Sequence, residues 1–361
     1  METCINLPRQ VLVLNIGDEL LDGLRENGHL VWLGEQLARR GLPITRSIVV
    51  RDKAEEIAAT LAAAWGQYDL IVTTGGIGPT SDDKTRASLA AAMGVKLQHV
   101  PAAEVALRER FSLIGRTVSA ADLSQCAVPA GGESLPNSRG TAPGVFFHQG
   151  RTALVMLPGP FLELRPMFEA QVVPRLRTIG CACQGEAYVQ VRTFGIGAVP
   201  LEEKVRPLLA PGMVLTFGTH TGVVDARIAS GGSGATADDL CAVARKVRDV
   251  VGNDFVCTGH SCLATIVVEH LRSLEKTVAL AESCTGGLLA NAFTDVAGAS
   301  RVFAGSAVCY SNDAKMNILG IPDSILAQHG AVSAECAAAM ATAAAEKFGS
   351  DYALSVTGYA G

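Results

Sequence analysis

A glycine-rich turn followed by two adjacent carboxylates is the first stretch of the chain with residue types suited to phosphate chemistry. Residues 69–85 read DLIVTTGGIGPTSDDKT. Three glycines in this turn, at 75, 76 and 78, would let backbone amides approach an anion at the start of the following helix. Asp82 and Asp83 repel phosphate, but they can hold a divalent cation that binds it. We therefore expect a phosphate ester or anhydride with a divalent metal. The structural alternative is an ordinary strand-to-helix connection with a capping aspartate.

A second acidic pair follows the first apolar strand of the chain. Residues 11–16 read VLVLNI, and Asp18 and Glu19 come directly after them in GDELL. Because the carboxyl ends of parallel strands meet at one edge of a sheet, Asp18 and Glu19 could face Asp82 and Asp83 across one crevice. A solvated turn is the alternative.

A second strand–glycine turn–helix pattern occurs near the carboxyl end. Thr277–Ala281 is predicted as a strand and Leu288–Thr294 as a helix, with ESCTGG between them. An anion pocket is plausible there, with hydroxyl donors from Ser283 and Thr285. Cys284 is a candidate nucleophile, since this position favours a thiolate.

A lysine and a tyrosine follow the next predicted strand, Val302–Tyr310. Asn312 is predicted to cap a helix whose first turn contains Lys315. A Ser–Lys pair with a tyrosine nearby can activate a hydroxyl without histidine. The structural alternative, which these residues alone favour, is that Tyr310 is an aromatic residue at a strand end and Lys315 a solvated helix residue.

The elements that must position these residues belong to an α/β protein of more than one domain. The chain has 361 residues, 48% of them hydrophobic, and 30 Lys+Arg against 35 Asp+Glu. The net charge of −5 shows no excess of basic residues of the kind that nucleic-acid-binding proteins have. No signal sequence and no run of eighteen apolar residues occurs, so we expect a cytoplasmic protein without a membrane segment. Alternating strands and helices in residues 11–74 predict parallel strands with right-handed crossovers.

The N-terminal part resembles a known family in four motifs. GDELL, TTGGIGPTSDD, NSRGTAPG and LPGPFLELRPMFE, in this order, resemble the N-terminal domain of the CinA (competence/damage-inducible protein A) family. The resemblance covers residues 5–178 and implies the three-layer, parallel-sheet fold of molybdopterin-binding domains. It also implies metal-dependent hydrolysis of the pyrophosphate in ADP-ribose, by a cation whose identity the sequence leaves open. By motif position, the implied metal residues are Asp18, Glu19, Asp82 and Asp83, and the implied phosphate-side residues are Gly75, Gly76, Gly78 and Thr80.

The middle part, residues 179–257, is predicted as a small α+β domain whose element order resembles a KH-like module. Residues 186–254 hold seven Lys/Arg against eight Asp/Glu, and the glycines at 195 and 197 flank no basic loop. RNA-binding KH domains need such a loop. We therefore expect a spacer or dimerisation unit.

Residues 258–361 are predicted as an α/β domain that resembles the nicotinamide mononucleotide deamidase domain of CinA proteins. The matching motifs are AESCTGG, DVAGASRVF, YSNDAK, HGAVS and SVTGYAG. The resemblance implies Ser300 as nucleophile, Lys315 as its general base and Tyr310 as hydrogen-bonding partner. The implied substrate-contacting turn is Ser283, Cys284, Thr285, Gly286 and Gly287. No cofactor is expected for this activity.

The family pattern continues beyond the last residue, Gly361, with a proline, a glycine-rich loop and a further strand. We therefore expect a sheet with an unpaired edge and an impaired deamidase.

The leading hypothesis is thus a hydrolase of nucleotides in pyridine-nucleotide recycling, acting on ADP-ribose and nicotinamide mononucleotide as a homodimer. Two alternatives lack turnover. One is a molybdopterin-binding protein, since Asp83 and Thr85 fit a TTGG…D…T pattern. The other, suggested by the family name, is a partner of competence proteins that does not contact DNA directly.

Overall fold

The computed structural model describes residues 9–81, 83–183, 185–220, 222–231 and 233–359. It divides into two compact units. One contains the described residues of 1–190, 197–219 and 225–250, and the other those of 191–196, 220–224 and 251–361. The three predicted domain boundaries stay predictions.

The N-terminal elements alternate between strands and helices. The strands are β1 (Val11–Ile16), β2 (Arg46–Val50), β3 (Leu70–Thr74), β4 (Leu97–His99), β5 (Ala127–Pro129), β6 (Glu133–Leu135), β7 (Gly144–Gln149) and β8 (Thr152–Leu157). The helices are α1 (Asp18–Leu21), α2 (Gly28–Arg39), α3 (Ala54–Ala64), α4 (Thr85–Ala92), α5 (Pro101–Leu113), α6 (Ala120–Ser124), α7 (Phe161–Met167) and α8 (Val173–Thr178). A π-helical turn, Phe168–Val172, joins α7 to α8.

Six of these strands form one sheet in the order β2-β1-β3-β8-β7-β6. Neighbours among β2, β1, β3 and β8 pair in parallel, as the alternation of strands and helices predicts. The hairpin β7–β8 and the pair β6–β7 are antiparallel. Strands β4 and β5 pair separately. The carboxyl ends of β1, β2, β3 and β8 therefore share one edge, where ligands bind in open α/β sheets.

Alternate side chains of the central strands pack into two different cores. Val11 and Val13 of β1 face a core that includes Leu33 and Leu37 of α2. Leu12 and Leu14 face a second core, with α3 and α4. Both faces are buried because every second residue of a strand points to the opposite side and both sides are apolar. The predicted three-layer α/β fold is confirmed.

The middle elements form a four-stranded sheet in the order β10-β11-β9-β12. The strands are β9 (Tyr188–Phe194), β10 (Val214–His220), β11 (Val223–Ala229) and β12 (Phe255–Thr258), and the helices are α9 (Ala198–Val205) and α10 (Ala237–Val251). This α+β content agrees with the prediction.

The C-terminal elements form a smaller parallel sheet in the order β14-β13-β15. The strands are β13 (Val278–Glu282), β14 (Phe303–Val308) and β15 (Tyr352–Val356), and the helices are α11 (Leu263–Ser273), α12 (Leu288–Thr294), α13 (Asn312–Ala314), α14 (Asp323–His329) and α15 (Ala334–Phe348). A π-helical turn, Lys315–Leu319, follows α13. Alternate residues of β13 again face two cores, one with α15 and one with α11 and α12.

Across the described residues, no helix combines the length and the apolar character needed to cross a bilayer. The cytoplasmic location stays a prediction.

Candidate active sites

A cavity of about 320 Å³ opens at the carboxyl edge of the N-terminal sheet. Its walls come from the ends of β1, β2, β3 and β8, as expected for this fold. The glycine turn 75–78 forms one wall, and Thr141 and Ala142 form another. Four carboxylates line the cavity together with two nitrogen-bearing side chains. They are Glu19, Asp52, Asp83, Glu163, Arg25 and His29.

The glycine turn has the backbone geometry that the sequence predicts. Gly75 and Gly76 have φ values of 91° and 65°, in the left-handed region. A Cβ at Gly75 would collide with the Ile16 carbonyl oxygen, and one at Gly76 with the Thr85 hydroxyl. Within the described part of the chain, the amides of Gly76, Ile77 and Gly78 donate no hydrogen bond. They are therefore available to an anionic ligand.

The predicted metal residues differ in where the structure places them. Glu19 lines the cavity, whereas Asp18 does not: its carboxylate lies 3.4 Å from Arg51 Nη1 and accepts from the Asp52 amide. Asp83 lines the cavity, but its Oδ2 accepts hydrogen bonds from the amide and hydroxyl of Thr80, which lies outside the cavity wall. Asp82 lies outside the described residues. No three carboxylate, histidine or cysteine side chains among the described residues converge as a metal site.

Four charged or titratable cavity residues were missed by the sequence analysis, Arg25 among them, although the positions of the other three give a signal. Asp52 follows β2, His29 opens α2 after the GDELL motif, and Glu163 opens α7 after β8. Each therefore lies in the connection or in the first helical turn that follows a strand or the first motif. Burial, followed by the charge of Arg25, lowers the pKa of His29, which favours the neutral imidazole. Asn137 donates to Glu163 Oε2 at 2.7 Å and to the Ala142 carbonyl at 2.9 Å, which orders this wall.

The second candidate site centres on a buried lysine at the carboxyl edge of the C-terminal sheet. Lys315 is 1% exposed. Its Nζ donates to Ser283 Oγ at 2.9 Å and to the carbonyls of Cys309 and Tyr310 at 3.0 and 3.2 Å. An ammonium group would donate to all three oxygens, whereas a free amine would donate to the two carbonyls and accept from the Ser283 hydroxyl. No carboxylate of the described residues pairs with Lys315. A fully buried lysine without an ion pair is rare, so this contact is a candidate for chemistry.

The structure brings Lys315 to Ser283 and does not bring it to Ser300. Ser283 follows β13, and Lys315 follows β14. Ser300 is exposed and lies in a 3₁₀ turn, Ala299–Arg301, just before β14. The six residues of β14 span about 20 Å, so Ser300 and Lys315 lie at opposite edges of the parallel sheet. The catalytic role of Ser300 stays a prediction.

Tyr310 contributes its carbonyl oxygen to Lys315, whereas the residue as a whole is 70% exposed. Its phenol makes no hydrogen bond within the described part of the chain. Two buried thiols lie near Lys315, and burial raises the pKa of both Cys309 and Cys336 although the lysine charge opposes this. Neither thiol is therefore poised as a nucleophile.

The backbone amides after β13 are bound by a side chain that the sequence analysis did not single out. Glu282 is fully buried, and its carboxylate accepts from the amides of Gly287, Leu289 and Ala290. The Gly286 amide donates to the Ser283 carbonyl. The amides of Gly286 and Gly287, expected to contact an anion, are thus used inside the protein. Those of Cys284 and Thr285 donate to no described residue.

Comparisons with known proteins match the regions that carry the two sites. A family model described as "Probable molybdopterin binding domain" matches residues 12–178, and one described as "CinA C-terminal domain" matches residues 260–361. A CinA-like protein of Parasynechococcus marenigrum is 37% identical over 356 residues, which cover 97% of this chain and 85% of the relative. A CinA-like protein of Dictyoglomus turgidum is 35% identical over 354 residues, with the same two coverages, 97% and 85%. The crystal structure of a CinA protein of unknown function from Thermoplasma acidophilum is 27% identical, covers 46% of this chain and 98% of its own, and has a TM-score of 0.43.

Proposed function

The chain belongs to the CinA family, with a molybdopterin-binding-like region and a CinA C-terminal region, and from this premise we propose that it is a nucleotide hydrolase. The activity with the best support is hydrolysis of the amide of nicotinamide mononucleotide. The observation that carries it is the buried 2.9 Å contact between Lys315 Nζ and Ser283 Oγ. On this basis we propose Ser283, in place of Ser300, as the nucleophile.

The arrangement supports acyl transfer through a Ser–Lys pair. With Lys315 as the free amine, Nζ accepts the Ser283 proton while Oγ attacks the amide carbon. The same proton passes to the departing nitrogen, which leaves as ammonia. Water then hydrolyses the acyl–serine ester and regenerates the hydroxyl. The free amides of Cys284 and Thr285, next to the nucleophile, are the candidates for oxyanion donors.

The test is ammonia release from nicotinamide mononucleotide by serine variants. Ser283→Ala and Lys315→Met are expected to lower kcat by about 10³-fold or more, because the pair acts as a unit. Ser306→Ala is the matched control, since its buried hydroxyl has no partner within the described residues. Full activity in Ser283→Ala, with loss in Ser300→Ala, would return the nucleophile to Ser300. Loss only in Cys284→Ala would assign it to the thiol.

We also propose a second activity, hydrolysis of the pyrophosphate of ADP-ribose in the N-terminal cavity. The free amides of residues 76–78 support phosphate binding there. The carboxylates of Glu19, Asp52, Asp83 and Glu163 supply oxygen donors, which suit a hard divalent cation. Mg²⁺ takes few protein carboxylates and completes its shell with water and substrate phosphate, so a site without three converging side chains fits it. When bound, the cation would neutralise phosphate charge.

The second activity is tested by AMP formation from ADP-ribose with and without chelator. Glu19→Gln is expected to lower the rate by about 10-fold or more, and Asp22→Asn is its control because Asp22 pairs with Arg51 outside the cavity. Equal rates with chelator would contradict the metal-dependent reaction. Each activity should survive loss of the other, since Glu19 and Ser283 lie in different compact units.

A pterin-binding protein without turnover is the alternative for the N-terminal cavity. The family description for residues 12–178 favours it. Pterin fluorescence that copurifies with the protein, together with absent ADP-ribose hydrolysis, would support it. A homodimer and the absence of direct nucleic-acid contact remain part of the proposal, and both are measurable by light scattering and by salt-dependent binding assays.

A further inference from the structure

Glu282 is a charged side chain inside the C-terminal unit that the proposed chemistry does not use. Its Oε2 accepts from the amides of Gly287 and Leu289, both at 3.1 Å, and its Oε1 accepts from the Ala290 amide at 2.8 Å. Burial opposes ionisation of this carboxyl, but the nearby Thr285 hydroxyl and the three amides outweigh it, so the pKa of Glu282 is lowered. The carboxylate is therefore a stable, fully desolvated part of the fold.

This carboxylate takes the place that an external anion would occupy. The first amides of a helix have no partner within the helix, and an anion at that end is favoured. Here the last residue of β13 folds over its own turn and satisfies the amides at the start of α12. The N-terminus of α12 is consequently closed to a substrate phosphate.

The same contacts determine where Ser283 lies. Ser283 follows Glu282 directly, and its amide donates to the Val356 carbonyl at 2.9 Å on the neighbouring strand β15. Its carbonyl accepts from Gly286, and the next residue, Gly287, is held by Glu282. Both ends of the turn are thus fixed, one by the sheet and one by the carboxylate. Ser283 is 5% exposed, and its Oγ lies within hydrogen-bonding distance of Lys315 Nζ.

We propose that Glu282 is a positioning residue of the amidase: by holding three backbone amides it keeps the Ser283 hydroxyl at Lys315 and leaves the Cys284 and Thr285 amides free for the oxyanion. This inference rests on the proposed amidase function. Glutamine at this position has the same size, but its Nε2 would replace one of the two accepting oxygens. This donor would then face a backbone N–H, which would lose its acceptor. The turn would then have to shift to separate two donors.

The test compares Glu282→Gln in the full chain with the unaltered protein by two readouts. The first is the rate at which a fluorophosphonate probe labels Ser283, located by mass spectrometry. The second is kcat and KM for nicotinamide mononucleotide. Displacement of a catalytic group by about 1 Å costs about 100-fold, so we expect the labelling rate and kcat to fall about 10- to 100-fold. KM should stay within about threefold, because substrate contacts are retained.

Asp351→Asn is the matched control, because it makes the same change in a carboxylate that also holds backbone. Asp351 accepts from the Thr277 amide at 2.8 Å and pairs with Lys276 at the opposite edge of the same sheet. The Asp351→Asn substitution should lower the thermal stability and leave kcat and the labelling rate of Ser283 unchanged. Should Glu282→Gln not fold, Glu282→Asp, which keeps the charge but shortens the reach, is assayed in its place with the same expectation.

Wild-type labelling and kcat in a folded Glu282 variant would overturn the positioning role, and so would a Ser283 that the probe does not label in the unaltered protein. Failure of the amidase itself looks different. It would appear as no ammonia release by the unaltered protein, while the labelling rates still decide whether Glu282 positions Ser283.

Discussion

Arg86 is a cation inside the N-terminal unit whose hydrogen bonds go to carbonyl oxygens. Its guanidinium donates to Ile77 in the glycine turn and to Pro143 in the loop that carries the opposite wall. Burial lowers its pKa to about 10, although the charge of Asp83 opposes this. The residue remains charged at neutral pH, and its two hydrogen bonds connect the glycine turn to the loop that carries Thr141 and Ala142.

Arg86→Lys should therefore destabilise the N-terminal unit. A lysine presents one nitrogen and cannot span two carbonyls, and loss of buried, charged hydrogen bonds costs about 2 to 4 kcal/mol. Urea unfolding measures the change. Arg108→Lys is the control, because Arg108 forms an exposed pair with Glu104 and should change the free energy of unfolding by less than about 1 kcal/mol. Equal effects of the two variants would contradict the joining role.

At the scale of elements, the connection between β3 and α4 depends on glycine for two separate reasons. Gly75 has positive φ, and its Cα also faces the Ile16 carbonyl at the end of β1. The turn can thus approach the neighbouring strand as closely as it does only without a side chain.

Gly75→Ala should cost more stability than Gly94→Ala. Both positions have positive φ, which costs about 1 to 2 kcal/mol for an alanine. A Cβ at Gly94 meets no atom within 4 Å, whereas one at Gly75 collides with backbone. Denaturant unfolding of the two variants gives the difference, which we expect to exceed about 1 kcal/mol. A smaller cost at Gly75 would show that the turn can move away from β1.

Much of this element-level arrangement follows from sequence patterns. Strand β1 and helix α12 have the predicted bounds, because β1 is a continuous apolar run that stops at Gly17 and α12 lies between Gly287 and Asp295. The local caps are less predictable: Ser311, not Asn312, caps α13, and the chain then continues as a π-helical turn from Lys315. Both polar residues are good caps, so composition alone does not choose between them.

The partner of Lys315 could have been derived from strand direction. Ser283 follows a strand, Ser300 precedes one, and Lys315 follows one. Parallel pairing alone places the first and third at the same edge. The role of Glu282 was less accessible, because a glutamate at a strand end gives no sign that it will fold back over the next helix.

At the scale of the whole molecule, each compact unit has a set of parallel strands with a candidate site at their carboxyl ends. In the C-terminal unit, the amino edge is held by Asp351, whose carboxylate binds the start of β13. Hydrogen bonds from Lys276 and Thr277 lower the pKa of Asp351 to about 2, from 3.8.

Acid should therefore weaken the C-terminal unit through this residue. Because the pKa of Asp351 is lower in the folded state, its contribution is complete above pH 3.8 and is lost as the pH falls to about 2. Unfolding followed by circular dichroism from pH 5 to pH 2 should show a smaller loss of stability in Asp351→Asn than in the unaltered protein. Identical profiles would contradict this assignment.

The central place of β13 has a dynamic consequence for the amidase site. Hydrogen bonds to β14 and β15 protect this strand on both sides, so its amides should exchange with deuterium more slowly than those of either neighbour. Ser283 is the direct continuation of that slowest-exchanging strand. The proposed nucleophile is therefore expected to keep its place when the less protected edge strands open locally.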